Sequence, residues 1–365
     1  MKKRFLFIAI ALIAVACARQ NDFEKELDAV FAAHFQSGLD EPGASILIAK
    51  NNTIIYSKNF GLADLNTKEA ITNETVFNTG SVSKTFVANT ILMLARENKL
   101  SLNDSLSKYF PGFKNPSIGQ TVKIIHLLTH TSGLPDNRRK HLSDTFLLTA
   151  NDQENFDPIL LNDSLLFEPG SRFQYSNPAF NALALIIEKV TGRKWQEVVK
   201  EKIFVPAGMN ASTITDYAHP EKGVAHAYLK TDSGFTELDY GEEPTFNASG
   251  NGGVWSSTKD LLHYEKALQQ SLFLTTGELE RSRTITRFPN WSDTTDAFIG
   301  ISWFISKESD STKIVSHTGS QGGFSCDYLV IPEKGLQYII LCNVPRPIHK
   351  IRMPVLELLK KYHWK

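Results

Sequence analysis

Residues 325–342, SCDYLVIPEKGLQYIILC, decide the fold of this chain of 365 residues. Two apolar runs, Ser325–Ile331 and Gln337–Leu341, flank the turn sequence PEKG over residues 332–335, and this order predicts an antiparallel hairpin. Earlier in the chain, Ala297–Ile305 and Lys313–Ser316 have the same strand character. The last part of the chain is therefore predicted to form consecutive antiparallel strands.

Two of the three cysteines lie in this hairpin. Cys326 and Cys342 are each eight residues from Lys334, so we expect them to lie roughly opposite each other. Two interpretations are open: a disulfide, which an oxidising compartment permits, or two buried thiols in a core strand pair. A register shift of one residue would send one of them to the opposite face of the sheet.

Strand character also occurs near the start of the chain. Ala44–Lys50 and Ile54–Phe60 flank three polar turn residues and predict a second hairpin, preceded by a helical pattern over Glu24–Phe35. The stretches Val82–Glu97 and Ala179–Val190 have the apolar periodicity of helices. Helices therefore lie between the two strand-rich ends.

This order predicts an α+β fold: a mostly antiparallel sheet built from both ends of the chain and flanked by helices, with an inserted all-helical lobe. We expect the sheet lobe to comprise about residues 36–80 and 245–365, and the helical lobe about residues 81–244. A closing helix is predicted over Met353–Tyr362.

Composition argues against several functions. The 39 Lys and Arg balance 39 Asp and Glu, so the chain lacks the excess positive charge that nucleic-acid binding requires. A content of 42% hydrophobic residues is that of an ordinary globular protein and excludes a disordered chain. Three cysteines are too few for a disulfide scaffold and lack the paired spacing of a structural zinc site.

The N-terminus predicts export from the cytoplasm. A basic start, KKR over residues 2–4, precedes an apolar stretch over residues 5–16, as in a secretory signal peptide. Small residues directly before Cys17 resemble the lipobox of bacterial lipoproteins, so we expect cleavage before Cys17 and its lipidation. Cleavage by an ordinary signal peptidase fits the same residues. Both interpretations predict a cell-envelope location, periplasmic or at the outer membrane, with residues 17–35 as the N-terminal linker and first helix.

Residues 81–84, SVSK, open one of the predicted helices and carry candidate chemistry. Because residues three apart share a helix face, the Lys84 amine can approach the Ser81 hydroxyl and, when desolvated, accept its proton. The N–H groups at a helix start also favour the negative charge that develops in acyl transfer. The same Ser-x-x-Lys spacing occurs at residues 105–108 and 256–259, so at least two of the three instances are structural.

A second motif is Tyr175-Ser176-Asn177, just before the helix predicted from Ala179. Alternate residues of a loop can face the same way, so Tyr175 and Asn177 can both contact a bound acyl group. A tyrosine hydroxyl beside a lysine can relay protons.

A third motif, His317-Thr318-Gly319, is expected at the end of a predicted strand. Gly319 lets a substrate backbone approach closely. The backbone amide of Ser320 is a candidate donor to an oxyanion.

These three motifs, in this order, resemble those of the serine β-lactamase and penicillin-binding protein superfamily. The likeness covers about residues 40–345 and is closest to the class C β-lactamase-like branch, which also contains D,D-carboxypeptidases, D-aminopeptidases and carboxylesterases. The resemblance implies a hydrolase domain over residues 36–350, a sheet of the five-stranded type and a site between the sheet and the helical lobe.

The resemblance also implies residue roles. Ser81 would be the nucleophile, Lys84 its proton acceptor, and Tyr175 the general base or proton relay. The implied substrate-binding residues are Asn177, His317, Thr318, Gly319 and Ser320, with the amides of Ser81 and Ser320 forming the oxyanion hole.

His317 departs from the pattern of the β-lactamases of this branch, which carry lysine there. A histidine is mostly neutral at pH 7, so it supplies no permanent charge for a substrate carboxylate. This favours the carboxypeptidase, aminopeptidase and esterase members over an efficient β-lactamase.

The leading hypothesis is an exported serine hydrolase that forms an acyl-enzyme on Ser81 with D-amino-acid peptides of the peptidoglycan type or with small esters, without a metal or other cofactor. The alternatives are a β-lactamase, a carboxylesterase and a non-catalytic sensor that binds penicillin or peptides. The expected partners are a small peptide, ester or β-lactam-like substrate and, through Cys17, a membrane. His126 and His130 have the spacing of helical metal ligands, but the zincin glutamate is missing and we interpret them as structural.

Overall fold

The structure is a computed structural model that describes residues 19–35, 40–138, 150–214, 223–237, 249–308 and 310–363. The expected signal peptide and Cys17 lie outside these residues and stay predictions. In the described part of the chain, no helix combines the length and the apolar character that crossing a membrane requires.

The described residues contain one large sheet and three two-stranded pairs. The strands are β1 (Ala44–Lys50), β2 (Thr53–Phe60), β3 (Leu62–Asp64), β4 (Glu69–Ala70), β5 (Phe77–Asn78), β6 (Tyr228–Thr231), β7 (Gly234–Glu237), β8 (Trp255–Ser256), β9 (Phe304–Lys307), β10 (Lys313–Gln321), β11 (Phe324–Ile331) and β12 (Leu336–Cys342). The large sheet is antiparallel and has the order β2-β1-β12-β11-β10-β9. Because β1 pairs with β12, the sheet is built from both ends of the chain, as predicted, and it has six strands where five were expected.

Helices cover both faces of this sheet. One helix spans residues 19–32, and the others are Ser83–Arg96, Pro116–Thr121, Ile124–Leu128, Asp152–Leu160, Asn177–Thr191, Trp195–Val199, Val205–Ala207, Thr258–Gln269, Thr276–Ser282 and Ile348–His363. Lys200–Phe204 forms a π-helical turn, and Gly80–Val82, Leu106–Lys108 and Pro332–Lys334 form 3-10 turns. The α+β architecture is therefore confirmed.

Apolar residues fill both sets of alternating positions in the central strands, so both faces of the sheet are buried. In β1, Ile46 contacts the core beneath residues 19–32 and Ile348–His363, whereas Leu47 contacts the larger core beneath the remaining helices. The larger core includes the Ser83–Arg96 helix, which is buried from Ser83 to Leu94. This burial fixes the start of that helix against the sheet.

Two strand predictions near the end of the chain were wrong in their bounds. The predicted strand Ala297–Ile305 is β9, which begins only at Phe304, because Ser302 has a φ of +64° and the Gly300 N–H donates to the carbonyl of Trp303 in a turn. The strand predicted to end at Ser316 is β10, which continues to Gln321. The third motif therefore lies inside a strand rather than at its end.

The expectation that Cys326 and Cys342 lie opposite each other was wrong by one residue. Ile331 pairs with Leu336 across four loop residues, so Cys326 faces Leu341 and Cys342 faces Ser325. The two side chains point to opposite faces and lie in different cores, where both are free thiols. The interpretation as two buried thiols is correct, and the disulfide is not formed.

Candidate active site

The first motif lies where a tight turn leads into a buried helix. Ser81 is the middle residue of the 3-10 turn Gly80–Val82, and the α-helix continues from Ser83. Gly80 has a φ of +51°, and a Cβ added to it would lie 2.7 Å from the amide nitrogen of Ser320. The turn therefore requires glycine both for its conformation and for its contact with strand β10.

Strand β10 approaches the same turn from the other side. A Cβ on Gly319 would lie 2.0 Å from the carbonyl oxygen of Thr79 and 3.2 Å from the amide nitrogen of Ser81. Because Gly80 and Gly319 have no side chains, the turn and the strand can approach each other closely. The amides of Ser81 and Ser320 therefore lie at the same junction. Two backbone N–H groups at such a junction can stabilise an oxyanion.

Lys84 lies fully buried behind Ser81. Its Nζ is 3.0 Å from the Oγ of Ser81 and donates to the carbonyl oxygen of Asn251 at 2.6 Å. Burial, and secondarily the positive charge of Arg138, holds the pKa of Lys84 well below its usual value. A neutral amine at hydrogen-bond distance from a serine hydroxyl can accept its proton.

A polar network that sequence patterns did not predict holds the carbonyl of Asn251 in place. The buried Oδ1 of Asp152 accepts from Asn181 Nδ2 at 2.7 Å and from the Gly250 amide at 2.8 Å. Asn251 Nδ2 in turn donates to the Oδ1 of Asn181 at 3.0 Å. Burial raises the pKa of Asp152 to about 7. The only sequence signal is an Asp at a helix start far from the motifs, which is indistinguishable from an ordinary helix-capping residue.

Tyr175 covers the other side of Lys84. The Lys84 Nζ lies 5.1 Å from the centre of the Tyr175 ring. Burial raises the pKa of Tyr175 to about 12, and a hydrogen bond with Ser81 partly offsets this increase. The hydroxyl is therefore protonated near neutral pH and can relay a proton as a neutral phenol.

His130 packs against the ring of this tyrosine. The two rings are stacked with centres 4.4 Å apart, and the Nδ1 of His130 accepts the Ser176 N–H at 3.0 Å. Burial keeps the pKa of His130 well below its usual value, so the ring is neutral. His126 instead accepts the Lys123 N–H, and no group of three or more His, Cys, Asp or Glu within the described ranges could hold a metal ion.

His317 lies inside strand β10 and is 1% exposed. Burial, and secondarily Lys84, lowers its pKa to about 3, so the ring is neutral at physiological pH. Because a carbonyl can only accept, the 2.7 Å contact between Nδ1 and the Thr318 carbonyl places the ring proton on Nδ1. His317 therefore brings no positive charge to the site.

The predicted site residues meet in one cleft of about 710 Å³. Those that line it are Ser81, Tyr175, Asn177, His317, Thr318, Gly319 and Ser320. Lys84 lies beneath this surface, in contact with Ser81. Strand β9 pairs with β10 only as far as Ser316, so the edge of β10 beyond that point borders the cleft.

Comparisons with known proteins agree with this arrangement. Residues 31–354 match the protein family described as Beta-lactamase, and the chain belongs to this family. Penicillin-binding protein 4* of Bacillus subtilis (strain 168) is 32% identical over 295 residues, which cover 77% of this chain. The chain spans 63% of the length of that relative.

Solved structures have the same fold. The octameric penicillin-binding protein homologue from Pyrococcus abyssi superimposes with a TM-score of 0.76 at 27% identity, covering 94% of this chain and 78% of the other. The D-amino acid amidase from Ochrobactrum anthropi SV3, solved with D-phenylalanine, gives a TM-score of 0.75 over 93% of this chain and 99% of the other. Its 21% identity shows similarity of the fold alone.

Proposed function

We propose that this protein is a serine hydrolase that forms an acyl-enzyme on Ser81. The observation that carries the proposal is the 3.0 Å contact between Ser81 Oγ and a fully buried Lys84 whose pKa is strongly lowered. In the acylation step, Ser81 Oγ attacks the acyl carbon while its proton passes to Lys84 Nζ. The amides of Ser81 and Ser320 stabilise the oxyanion that forms.

The leaving group needs a proton as its bond to the acyl carbon breaks. Tyr175, which hydrogen-bonds to Ser81 and is protonated near neutral pH, donates this proton and recovers one from Lys84. Water then attacks the ester carbon and gives its proton to the neutral Lys84, and the relay returns a proton to Ser81 Oγ as the ester bond breaks and the acid leaves. Of the two roles expected for Tyr175, its raised pKa supports proton relay over action as a tyrosinate base.

The substrates that fit best are D-amino-acid peptides of the peptidoglycan type or small esters. Support comes from relatives that are named as a penicillin-binding protein and a D-amino acid amidase. The neutral His317 argues against an efficient β-lactamase, because it offers no cation for the carboxylate of the drug. The close contact of Ser81 with Lys84 argues against a sensor without turnover.

We further propose that the protein is exported and anchored to a membrane by a lipid on Cys17. The support is the basic and apolar start of the chain with small residues before that cysteine. Expression of the full chain followed by detergent phase separation tests this. The parent is expected in the detergent phase and Cys17→Ala in the aqueous phase; a parent in the aqueous phase contradicts the anchor.

The test of the activity is a comparison of the parent with Ser81→Ala on three substrates: a neutral p-nitrophenyl ester, N-acyl-D-alanyl-D-alanine and a chromogenic β-lactam. We expect turnover of the ester or the peptide that Ser81→Ala abolishes, and slower turnover of the β-lactam. A parent that turns over none of the three while binding the penicillin would support the sensor instead.

A further inference from the structure

One wall of the cleft around Ser81 is aromatic. Phe173 and Phe304 line it, and both side chains are partly exposed. Phe298, whose ring centre lies 4.6 Å from that of Phe173 and 6.2 Å from that of Phe304, completes a group of three rings that we call the aromatic wall. Apolar surface that stays in contact with water favours the binding of an apolar group, because binding removes both surfaces from water.

Hydrogen bonds hold the segments of the aromatic wall together. The Ile305 N–H donates to the carbonyl of Phe298 at 2.8 Å, and the Phe173 N–H donates to the Asp293 carboxylate at 3.3 Å. Phe304 is the first residue of β9, which pairs with β10. These contacts fix the position of the rings. A smaller cavity of about 390 Å³, which Phe304 also lines, adjoins the cleft, so there is room beside the aromatic wall for a ring-sized substituent.

The aromatic wall lies on the side of the cleft where a leaving group is protonated. The Phe304 ring lies nearly parallel to that of Tyr175, with centres 6.3 Å apart, and edge-on to that of His317 at 5.2 Å. Tyr175, the proposed proton donor, must lie within hydrogen-bond distance of the leaving atom. The oxyanion donor Ser320 lies further along β10, beyond the point where β9 stops pairing with it. A leaving group held at Tyr175 therefore extends toward the aromatic wall.

We propose that the aromatic wall binds the leaving group, and that it makes acyl transfer by Ser81 selective for substrates whose leaving group carries an aromatic or bulky apolar substituent. The inference rests on the proposed function, since it names the substrate class of the same site. An aromatic substituent packs edge-on or offset against Phe173 and Phe304 while the scissile bond lies at Ser81. A small substituent leaves these rings in contact with water, and a strongly hydrated one loses its water without gaining a hydrogen bond from them. Both kinds of substrate therefore react more slowly.

A matched pair of thioesters tests the proposal: the phenethyl and the ethyl thioester of N-acetyl-D-alanine. Attack by Ser81 Oγ forms the same acyl-enzyme from both and breaks the carbon–sulfur bond, and the protonated thiol that leaves reports turnover. Both leaving groups are alkyl thiols, so the substrates differ in the ring and not in the chemistry. Burying roughly 100 Å² of apolar surface strengthens binding by more than about tenfold. We therefore expect the kcat/KM ratio of phenethyl over ethyl to be about tenfold or more in the parent, and to fall about threefold or more in Phe173→Ala and in Phe304→Ala.

Phe235→Ala is the matched control, because it truncates a partly buried phenylalanine on β7 that is not among the described residues lining the cleft. The ratio in this variant should equal that of the parent. Phe304→Leu keeps an apolar side chain in the aromatic wall without its ring, so the ratio should fall less than in Phe304→Ala. Thermal unfolding checks that each variant is folded, and the fall in Phe304→Leu decides if the alanine variants are not.

Three results would overturn the inference: a parent ratio near one, an unchanged ratio in the folded variants of the aromatic wall, or an equal fall in Phe235→Ala. A parent inactive on both thioesters and on the neutral p-nitrophenyl ester would overturn the proposed function itself, and the inference with it.

Discussion

Two helices of this protein begin next to a Ser-x-x-Lys sequence, and only one of them brings the lysine amine to the serine hydroxyl. At residues 81–84, the lysine is fully buried and its Nζ lies 3.0 Å from the serine Oγ. At residues 256–259, the Lys259 side chain is 49% exposed and forms an ion pair with Glu74, while Ser256 Oγ pairs with Ser212 Oγ at 2.8 Å. The ion pair raises the pKa of Lys259, whereas burial lowers that of Lys84.

A third instance, at residues 105–108, resembles the second. Lys108 Nζ donates to Asp104 at 2.8 Å, and the Ser105 and Ser107 hydroxyls pair with each other at 2.9 Å. The tetrapeptide therefore sets the spacing, but the surroundings decide the chemistry. A lysine acts as a base where it is desolvated without a carboxylate partner, and it stays a charged surface residue where an acid pairs with it.

Replacing each lysine with glutamine should give the largest difference in acylation rate between the two motifs. Lys84→Gln removes the proposed proton acceptor of Ser81, so we expect acylation to slow by about 10²–10⁴-fold. Lys259→Gln removes an ion pair on the exposed surface and should leave the acylation rate within about twofold of the parent. Single-turnover kinetics with an activated ester measure both. Equal losses in the two variants would mean that burial of Lys84 does not create the base.

The tyrosines near two of these motifs offer a second contrast. Tyr175→Phe removes the hydroxyl of the proposed relay and should lower kcat by roughly 10²-fold. Tyr109 OH instead donates to Asp104 at 2.6 Å beside the 105–108 motif, so Tyr109→Phe should affect stability by about 1 kcal/mol but not the rate constant. Steady-state kinetics and thermal unfolding of both variants check this. If Tyr175→Phe keeps the kcat of the parent, the Tyr175 hydroxyl has no role in the reaction.

The network behind Lys84 sharpens the comparison, because it holds the carbonyl group that the Lys84 Nζ contacts, whereas Lys259 and Lys108 each form an ion pair with a carboxylate. Asp152→Ala leaves the Gly250 amide and Asn181 Nδ2 without their acceptor, so we expect a loss of about tenfold in kcat/KM and roughly 1–3 kcal/mol in stability. Asp152→Asn keeps an oxygen for both bonds and should retain more activity. If the alanine and asparagine variants lose activity equally, the charge rather than the positioning of Asn251 is what matters.

The last prediction concerns stability in acid rather than the rate of the reaction. The pKa of His317 is about 3 in the folded protein against 6.5 for a free histidine, so the unfolded chain binds an extra proton between these values. The free energy of unfolding should therefore fall as the pH drops below 6.5, by about 2 kcal/mol at pH 4.5 from this residue. Denaturant unfolding of His317→Gln should show a shallower decline than the parent, with the exposed His349→Gln as control. An unchanged slope would indicate that His317 is protonated in the folded state.

Much of the fold could be predicted from the sequence because its strands are strongly apolar and turn-forming residues separate them. The bounds of β1 were predicted to the residue, and the helix over Asn177–Thr191 to within two residues. The prediction failed where local backbone geometry decides, as at the Ser302 turn before β9. The cysteine register failed for a related reason, since the exact centre of the 332–335 loop sets the pairing and composition does not.

The candidate site was predictable only as far as its motifs. Ser81, Lys84, Tyr175 and His317 stand in recognisable patterns, and the structure brings them together. The contacts of Asp152 join segments that are distant in sequence, so no local spacing of residues indicates them.

The central claim is that the surroundings of residues 81–84 make Ser81 the acylated residue. Intact-mass spectrometry of the acid-quenched protein after mixing with an activated ester and, separately, with a penicillin tests it most directly. The parent and Ser256→Ala are expected to gain the mass of one acyl group, and Ser81→Ala none. An adduct that persists in Ser81→Ala, or that disappears in Ser256→Ala, would contradict the account.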